Sequence, residues 1–386
     1  MQTDHCKLDL YQYQLDVIHN QTNGRILWQP RIGCWYDDKM FAQEELPGSF
    51  RGAKLPDIYR KLGCSNRIYE YNDCFKIKED SSIIRRERKI SEMETEQIIE
   101  TPAGILNCIM VSNSSNSGSF PRKWWVETEE DLEIMTYVTD HQEWEWDQQT
   151  YEKVYEKWQR IGAPAIFMPR VNIQYLYIDI MGVENAIYAL ADFPEAVERF
   201  FLALERNQER MITVINQSPI EMINFGDNLH CKTLPPYYFE KYVLPAYQKR
   251  CELLHEAGKF VYSHWDGDTK DILKYAKVTG LDGIEAITPK PQGDVILQEV
   301  KEALGDDMWL IDGIAAILFD KEFTEEELTN QVRECIRLFA PRLILGISDE
   351  LSSTGDIERV SLIGRIVDEY NREIMLAHNQ QGLKTP

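Results

Sequence analysis

Positive charge is scarce in this sequence. Its 386 residues carry 64 Asp and Glu against 42 Lys and Arg, a formal net charge of −22. Binding to nucleic acid or an anionic membrane draws on clustered Lys and Arg, so a field of this sign excludes a general polyanion binder. The densest basic run, Arg85-Arg86-Glu87-Arg88-Lys89, is short and is followed by Glu92, Glu94, Glu96 and Glu100, which reads as a solvated face. Long apolar runs are missing too. No stretch approaches the ~20 uncharged residues of a membrane span, and the N-terminus lacks the basic-then-apolar pattern of a secretory leader. The eight cysteines form no CxxC pair and no dense framework, so free thiols in a reducing cytoplasm are expected. No GxSxG, HExxH or glycine-rich phosphate fingerprint is present, which argues against the common hydrolase and nucleotide-binding chemistries.

What the chain does have is core. Hydrophobic residues make up 43% and aromatics 11%, ample for a large buried interior. Residues 1–160 and 161–386 differ in texture. The first part opens with helical spacing at Leu8, Tyr11, Leu15 and Ile18, then a short strand candidate near 26–30. Strands joined by turns are expected over 67–111, an exposed loop over 112–119, and a largely helical acidic stretch over 128–160, where Trp144, Trp146 and Trp158 read as packing groups. From 161 the punctuation is regular. Strand candidates at 165–168, 221–225, 259–263, 281–287, 308–312 and 343–347 are separated by helix-length patterns at 194–215, 238–257, 267–279, 293–303, 324–339 and 356–371. Strands separated by single helices imply a parallel sheet with right-handed crossovers. The count suits either an eight-membered barrel with one or two strands unseen or an open sheet. The expected organisation is therefore an N-terminal extension over 1–160, which can include the first strand, and the main α/β unit over 161–386.

Polar residues gather where the strand candidates end, the place where a barrel collects its chemistry. The exits read Asn224-Phe225-Gly226-Asp227-Asn228, Tyr262-Ser263-His264-Trp265-Asp266, Asp282-Gly283-Ile284-Glu285 and Gly346-Ile347-Ser348-Asp349-Glu350, with Asp312 as a fifth carboxylate. Along an extended backbone His264 and Asp266 point the same way. They can share a metal ion, form a base with its orienting carboxylate, or simply hold a loop. Carboxylates repeated at successive exits repel one another unless protonated or bridged by a cation, and zinc in an N/O-rich site would relieve that repulsion. The candidate metal ligands are His264, Asp266, Glu285 and Asp349. The candidate catalytic residues are His264, Asp227, Asn228 and Glu285. Trp35, Tyr36 and Trp265 are candidates to line a substrate slot. His5, His19, His141, His255 and His378 sit in helical or terminal contexts and read as surface or packing residues, while His230-Cys231 reads equally as ligand or buried thiol.

The same residues carry a resemblance. Phe225-Gly226-Asp227-Asn228, the run from Tyr238 to Pro245, His264-Trp265-Asp266-Gly267-Asp268, Gly280 to Glu285 and Leu345-Gly346-Ile347-Ser348, in this order, resemble the uroporphyrinogen decarboxylase-like superfamily and its corrinoid-dependent methyltransferase branch. The resemblance implies a (β/α)8 TIM barrel with N-terminal additions. It also implies an enzyme that moves a methyl group from a small methoxylated compound, such as an aryl methyl ether, to the cobalt of a separate corrinoid protein. No DxHxxG-type cobalamin module is present in the chain itself. Thiol-activating members of that branch hold zinc with a histidine–any–cysteine pair and a later cysteine. This chain has Asp266 and Ser348-Asp349-Glu350 at those places, and oxygen ligands suit an electrophilic zinc acting on an ether oxygen. Two alternatives stand beside this expectation: a decarboxylase of a carboxylated ring compound, and a catalytically silent barrel that serves as a binding subunit. A homodimer is compatible with either.

Overall fold

Short runs with no polar alternation must be covered on both faces, and the chain meets that demand by gathering them into one parallel sheet flanked by helices. The computed structural model describes residues 9–114 and 118–382. In chain order its strands are β1 (Leu27–Trp28), β2 (Phe75–Glu79), β3 (Ile84–Lys89), β4 (Glu94–Thr101), β5 (Gly104–Ser112), β6 (Ser119–Lys123), β7 (Gln142–Trp146), β8 (Ala165–Met168), β9 (Met222–Phe225), β10 (Phe260–His264), β11 (Gly283–Glu285), β12 (Trp309–Ala315) and β13 (Leu343–Ser348). Seven of them form a curled parallel sheet in the order β1-β13-β12-β11-β10-β9-β8. Every residue of β9 to β13 is buried.

The expected eight-stranded ladder is met by seven paired strands. Between the two edge strands runs the segment 65–68, which touches both without laddering with either. Ser65 N–H donates to the Trp28 carbonyl at 3.0 Å, Asn66 N–H to the Ile161 carbonyl at 3.3 Å, and Ile68 bridges Pro164 in parallel. Side chains replace the missing ladder: Gln29 Nε2 donates to Ser65 Oγ at 3.0 Å and to the Asn66 carbonyl at 3.4 Å. The helix Leu10–Ile18 then covers the end where the strands start. Its Tyr13, Leu15, Val17 and Ile18 pack on Leu27, Ala165, Met222, Phe260 and Ile344. Gln14 is fully buried in that plug, and its Oε1 accepts from Gln29 Nε2, Ser65 Oγ and Ala163 N–H at 3.0, 2.9 and 3.0 Å.

The expected antiparallel strands appear as a four-stranded sheet, β3-β4-β5-β6, and the pair β2-β7. The expected helical stretch at 128–160 is two helices, Glu129–Asp140 and Gln148–Trp158, with β7 between them. A ladder of ion pairs ties this region to the helix Pro194–Gln217: Arg199 meets Glu129 and Glu133, Arg206 meets Asp140 at 2.8 Å, and Arg210 meets Glu143 at 3.7 Å. Four carboxylates of this region thus find partners on one seam. The Thr324–Glu327 capping box starts the helix Glu325–Phe339 as its spacing predicts. The helix expected over 267–279 is instead a 3-10 stretch at Leu273–Val278. Gly267 lies so close to the Leu229 carbonyl that no side chain fits there, and loop packing takes the place of a full helix. In the loop over 112–119, residues 115–117 lie outside the described residues. No described helix is long and apolar enough to cross a membrane.

Two substitutions should separate plug from seam. Gln14→Leu strands three buried partners and should cost about 1–3 kcal/mol. Arg206→Ala breaks a half-exposed pair and should cost no more than about 1 kcal/mol. Urea melts of the two variants check this, and equal losses would contradict the assignment of the core to the plug.

Candidate active site

Side chains alternate along a strand, so Met222 and Asn224 share the inner face of the sheet, as do Tyr262 and His264. His264 and Glu285 stand opposite each other in register. Inside the curled sheet this stacks an apolar layer at the strand starts, then a buried charged layer, then the mouth.

The charged layer centres on Arg67, carried by the edge-spanning segment and almost fully buried. Its Nη1 is in close contact with Glu285 Oε1, its Nη2 donates to Asp312 Oδ1 at 3.0 Å, and its Nε donates to Gln29 Oε1 at 3.3 Å. Asn224 Nδ2 closes on Glu285 Oε2. Arg31 adds a second guanidinium to Glu285 at 3.3 Å, and His264 Nδ1 lies 3.2 Å from the same carboxylate oxygen. Gly346 is required by space, since a Cβ there would overlap the Asp312 carboxylate. Ala286, Asp312 and Asp349 all adopt positive φ, at 63°, 76° and 72°. Left-handed backbone costs a non-glycine residue of order 1–3 kcal/mol, and here the cost recurs on three neighbouring strands, within β12 and just past the ends of β11 and β13.

These contacts set the charges. Burial pushes the Glu285 carboxyl up, but Arg67, His264 and Arg31 overcome it and hold it well below the usual range. Asp312 is raised: burial dominates over Arg67, and neighbouring Glu285 adds to it. Burial would lower the His264 imidazole, but the carboxylates of Asp266 and Glu285 hold it up at about 9.

Above this layer opens a cavity of about 440 Å³ lined by Arg31, Phe167, Met168, Pro169, Arg170, Tyr175, Asp179, Gly226, Asn228, His264, Asp266 and Asp349. It lies at the C-terminal ends of the parallel strands. Residues 175–370, a little over half the chain, match the sequence model of uroporphyrinogen decarboxylase (URO-D). The chain belongs to the uroporphyrinogen decarboxylase family. Among solved structures, a methyltransferase from Methanosarcina mazei has a TM-score of 0.51 at 12% identity, over 68% of this chain and 75% of its own. A B12-independent methionine synthase from Shewanella sp. W3-18-1 gives 0.42 at 10% identity, over 89% and 86%. The first is a likeness of fold. No curated protein matches the chain.

In this family member the predicted residues divide. His264, Asp266, Asp349 and Asn228 line the cavity, and Glu285 lies directly beneath His264. Asp227 does not reach the cavity. It is fully buried, accepting from Val171 N–H at 2.9 Å and from the Tyr247 hydroxyl at 2.7 Å, so it holds two exit loops together. The aromatic slot is also corrected. Trp35 is a core residue, Trp265 is buried edge-on against Phe239, and Tyr36 lines an outer groove with Lys54 and Arg60. Large indoles near the mouth gain more from full burial than a shallow slot offers. Phe167 and Tyr175 take the slot instead.

The four expected metal ligands do not converge. Asp266 and Asp349 flank His264 Nε2 at 3.7 Å each, but Glu285 sits on the opposite nitrogen, Nδ1, so it cannot join them on one ion that takes its donors at about 2.0–2.2 Å. Among the described residues no group of three or more His, Cys, Asp or Glu is arranged to hold a metal ion.

Sequence reasoning missed Arg67 altogether. Its only local sign is the helix stop at Gly63, after which Ser65-Asn66-Arg67 has no strand-like alternation. Arg31, the one basic group of Gln29-Pro30-Arg31-Ile32-Gly33, lies outside the family match, as Arg67 does. Arg170 and Asp179, paired at 3.1 Å on the cavity wall, carried no motif. Replacing Arg67 by Met leaves buried Asp312 without its guanidinium and Glu285 with Arg31 and His264 alone, and should cost about 3–5 kcal/mol. Chemical denaturation reads this directly, and a loss below about 1 kcal/mol would show that the layer is not held by Arg67.

Proposed function

We propose that this chain is a methyltransferase that takes a methyl group from a small methoxylated substrate, in the aryl methyl ether class, and passes it to the cobalt of a reduced corrinoid on a separate protein. The observation that carries this reading is the cavity of about 440 Å³ with the His264 imidazole at its floor and Phe167, Met168 and Pro169 on its wall. That volume suits a one-ring ligand. The like-folded M. mazei protein, named a methyltransferase, supports the class of reaction. The curled sheet is read as a (β/α)8 barrel in which segment 65–68 stands in for the eighth strand, so the mouth is the barrel's catalytic face.

Methyl ethers resist cleavage because the departing oxygen keeps the bonding electron pair. In the proposed step the methyl carbon–oxygen bond breaks as the corrinoid cobalt supplies the pair for the new bond to carbon. The oxygen keeps its own pair and takes the proton from His264 Nε2, and solvent later restores that proton. Glu285 on Nδ1 orients the ring and stabilises its charged form, the part a carboxylate plays behind a catalytic imidazole. Asp266 and Asp349, 3.7 Å from Nε2, fix the direction of the donated proton. The corrinoid protein docks over the strand-exit face.

Decarboxylation of a carboxylated ring compound is a second reading, favoured by Arg31 and Arg170 on the cavity wall. Both are already engaged by carboxylates of the chain, which leaves methyl transfer ahead. The two are separated by offering methoxylated aromatics with a reduced corrinoid protein and following cobalt absorbance, with CO₂ release measured in parallel. The expected outcome is a corrinoid-dependent absorbance change that His264→Ala slows about 10²–10⁴-fold. CO₂ release without any corrinoid would establish the second reading in its place.

A further inference from the structure

Two of the three carboxylates expected to hold zinc, Glu285 and Asp349, are already paired, and their partner is a side chain. Arg31 leaves the end of β1 and is only 9% exposed. Its Nη1 lies 3.2 Å from Asp349 and 3.3 Å from Glu285, and its Nη2 lies 3.2 Å from Glu350. Its own carbonyl accepts from Leu351 N–H at 2.9 Å, which fixes the 349–351 turn to the guanidinium that neutralises it. Below it the Tyr69 ring lies 5.4 Å from the guanidinium carbon. Its Nε is buried without a hydrogen-bond partner.

We infer that Arg31 is the resident cation of this site: its guanidinium takes the place of a divalent metal ion and presents a fixed positive charge to the cavity. A metal ion entering between His264, Asp266 and Asp349 would meet that charge at once, and it would have to break the Arg31–Asp349 pair to obtain its third ligand. A planar guanidinium spreads its charge over a fork of donors that reaches three carboxylates on two strand exits. The arrangement also gives Arg31 a task beyond neutralisation. It lines the cavity beside His264, so under the methyl-transfer reading it is the fixed charge nearest the oxygen on which negative charge develops. This last point rests on that reading, whereas the claim about the cation does not.

The test uses the full chain, dialysed against a chelator and titrated calorimetrically with zinc chloride, as wild type, Arg31→Lys and Arg31→Ala. Wild type and the charge-keeping Arg31→Lys should take up no zinc at this site. Arg31→Ala, which frees Asp349 and removes the repelling charge, should bind one equivalent where wild type binds none. One equivalent of zinc bound by wild type and lost in Asp349→Asn would overturn the inference, and this arm decides the matter even if Arg31→Ala does not fold. Chelated wild type assayed for methyl transfer completes the design. Turnover abolished by chelation and restored by zinc counts against Arg31. No turnover under any condition, with zinc still excluded, counts against the methyl-transfer reading alone.

Discussion

One guanidinium shared between two buried carboxylates governs the middle of this molecule. Arg67 reaches Glu285 and Asp312 from a segment that belongs to no strand, and both carboxylates are fully buried. Burying such charges is expensive, and the expense is offset only when their hydrogen-bonding capacity is filled. Gln29 and Asn224 do that filling. The plug helix beneath and the mouth above both follow. Gln14 shares Gln29 with the charged layer, and His264 inherits from Glu285 the negative neighbour that keeps it protonated. Removing Arg67 would therefore disturb the buried layer and the charge of the mouth together.

The parts of this design legible in the sequence are those that depend on local pattern. Continuous apolar runs such as Ala165–Met168 and Leu343–Ser348 announce buried parallel strands, and the carboxylates at their ends announce a site. The Thr324 capping box is legible because it satisfies its own backbone within four residues. What escaped notice depends on distant partners. Arg67 matters through residues more than 200 positions away, and no local spacing reveals such a pair. Trp265 and Asp227 misled for the converse reason. They stand next to the right residues in sequence, but strand alternation and loop packing turn them into the core.

The same distinction explains the zinc expectation. Four ligands at successive strand exits look convergent in one dimension, and like charges gathered at one mouth do demand a cation. The structure meets that demand with Arg31 and Arg67, from segments whose sequence shows no metal-like pattern. Both guanidinium groups come to the carboxylates from the N-terminal region, more than 200 positions away in sequence. That region, with its acidic seam to the helix Pro194–Gln217, is thus part of the site's construction as well as its cover.

The central claim is that Glu285, fixed by Arg67, holds His264 in its charged form above the neutral range. A nitrogen-resolved NMR titration of His264 tests it most directly, with His264→Gln identifying the resonance. The account predicts an imidazole that stays doubly protonated through neutrality and titrates near 9 in the wild type, and that titrates at lower pH in Glu285→Gln, where Asp266 alone is left to hold it up. A wild-type His264 that is neutral at pH 7, or one that Glu285→Gln leaves unmoved, would contradict it.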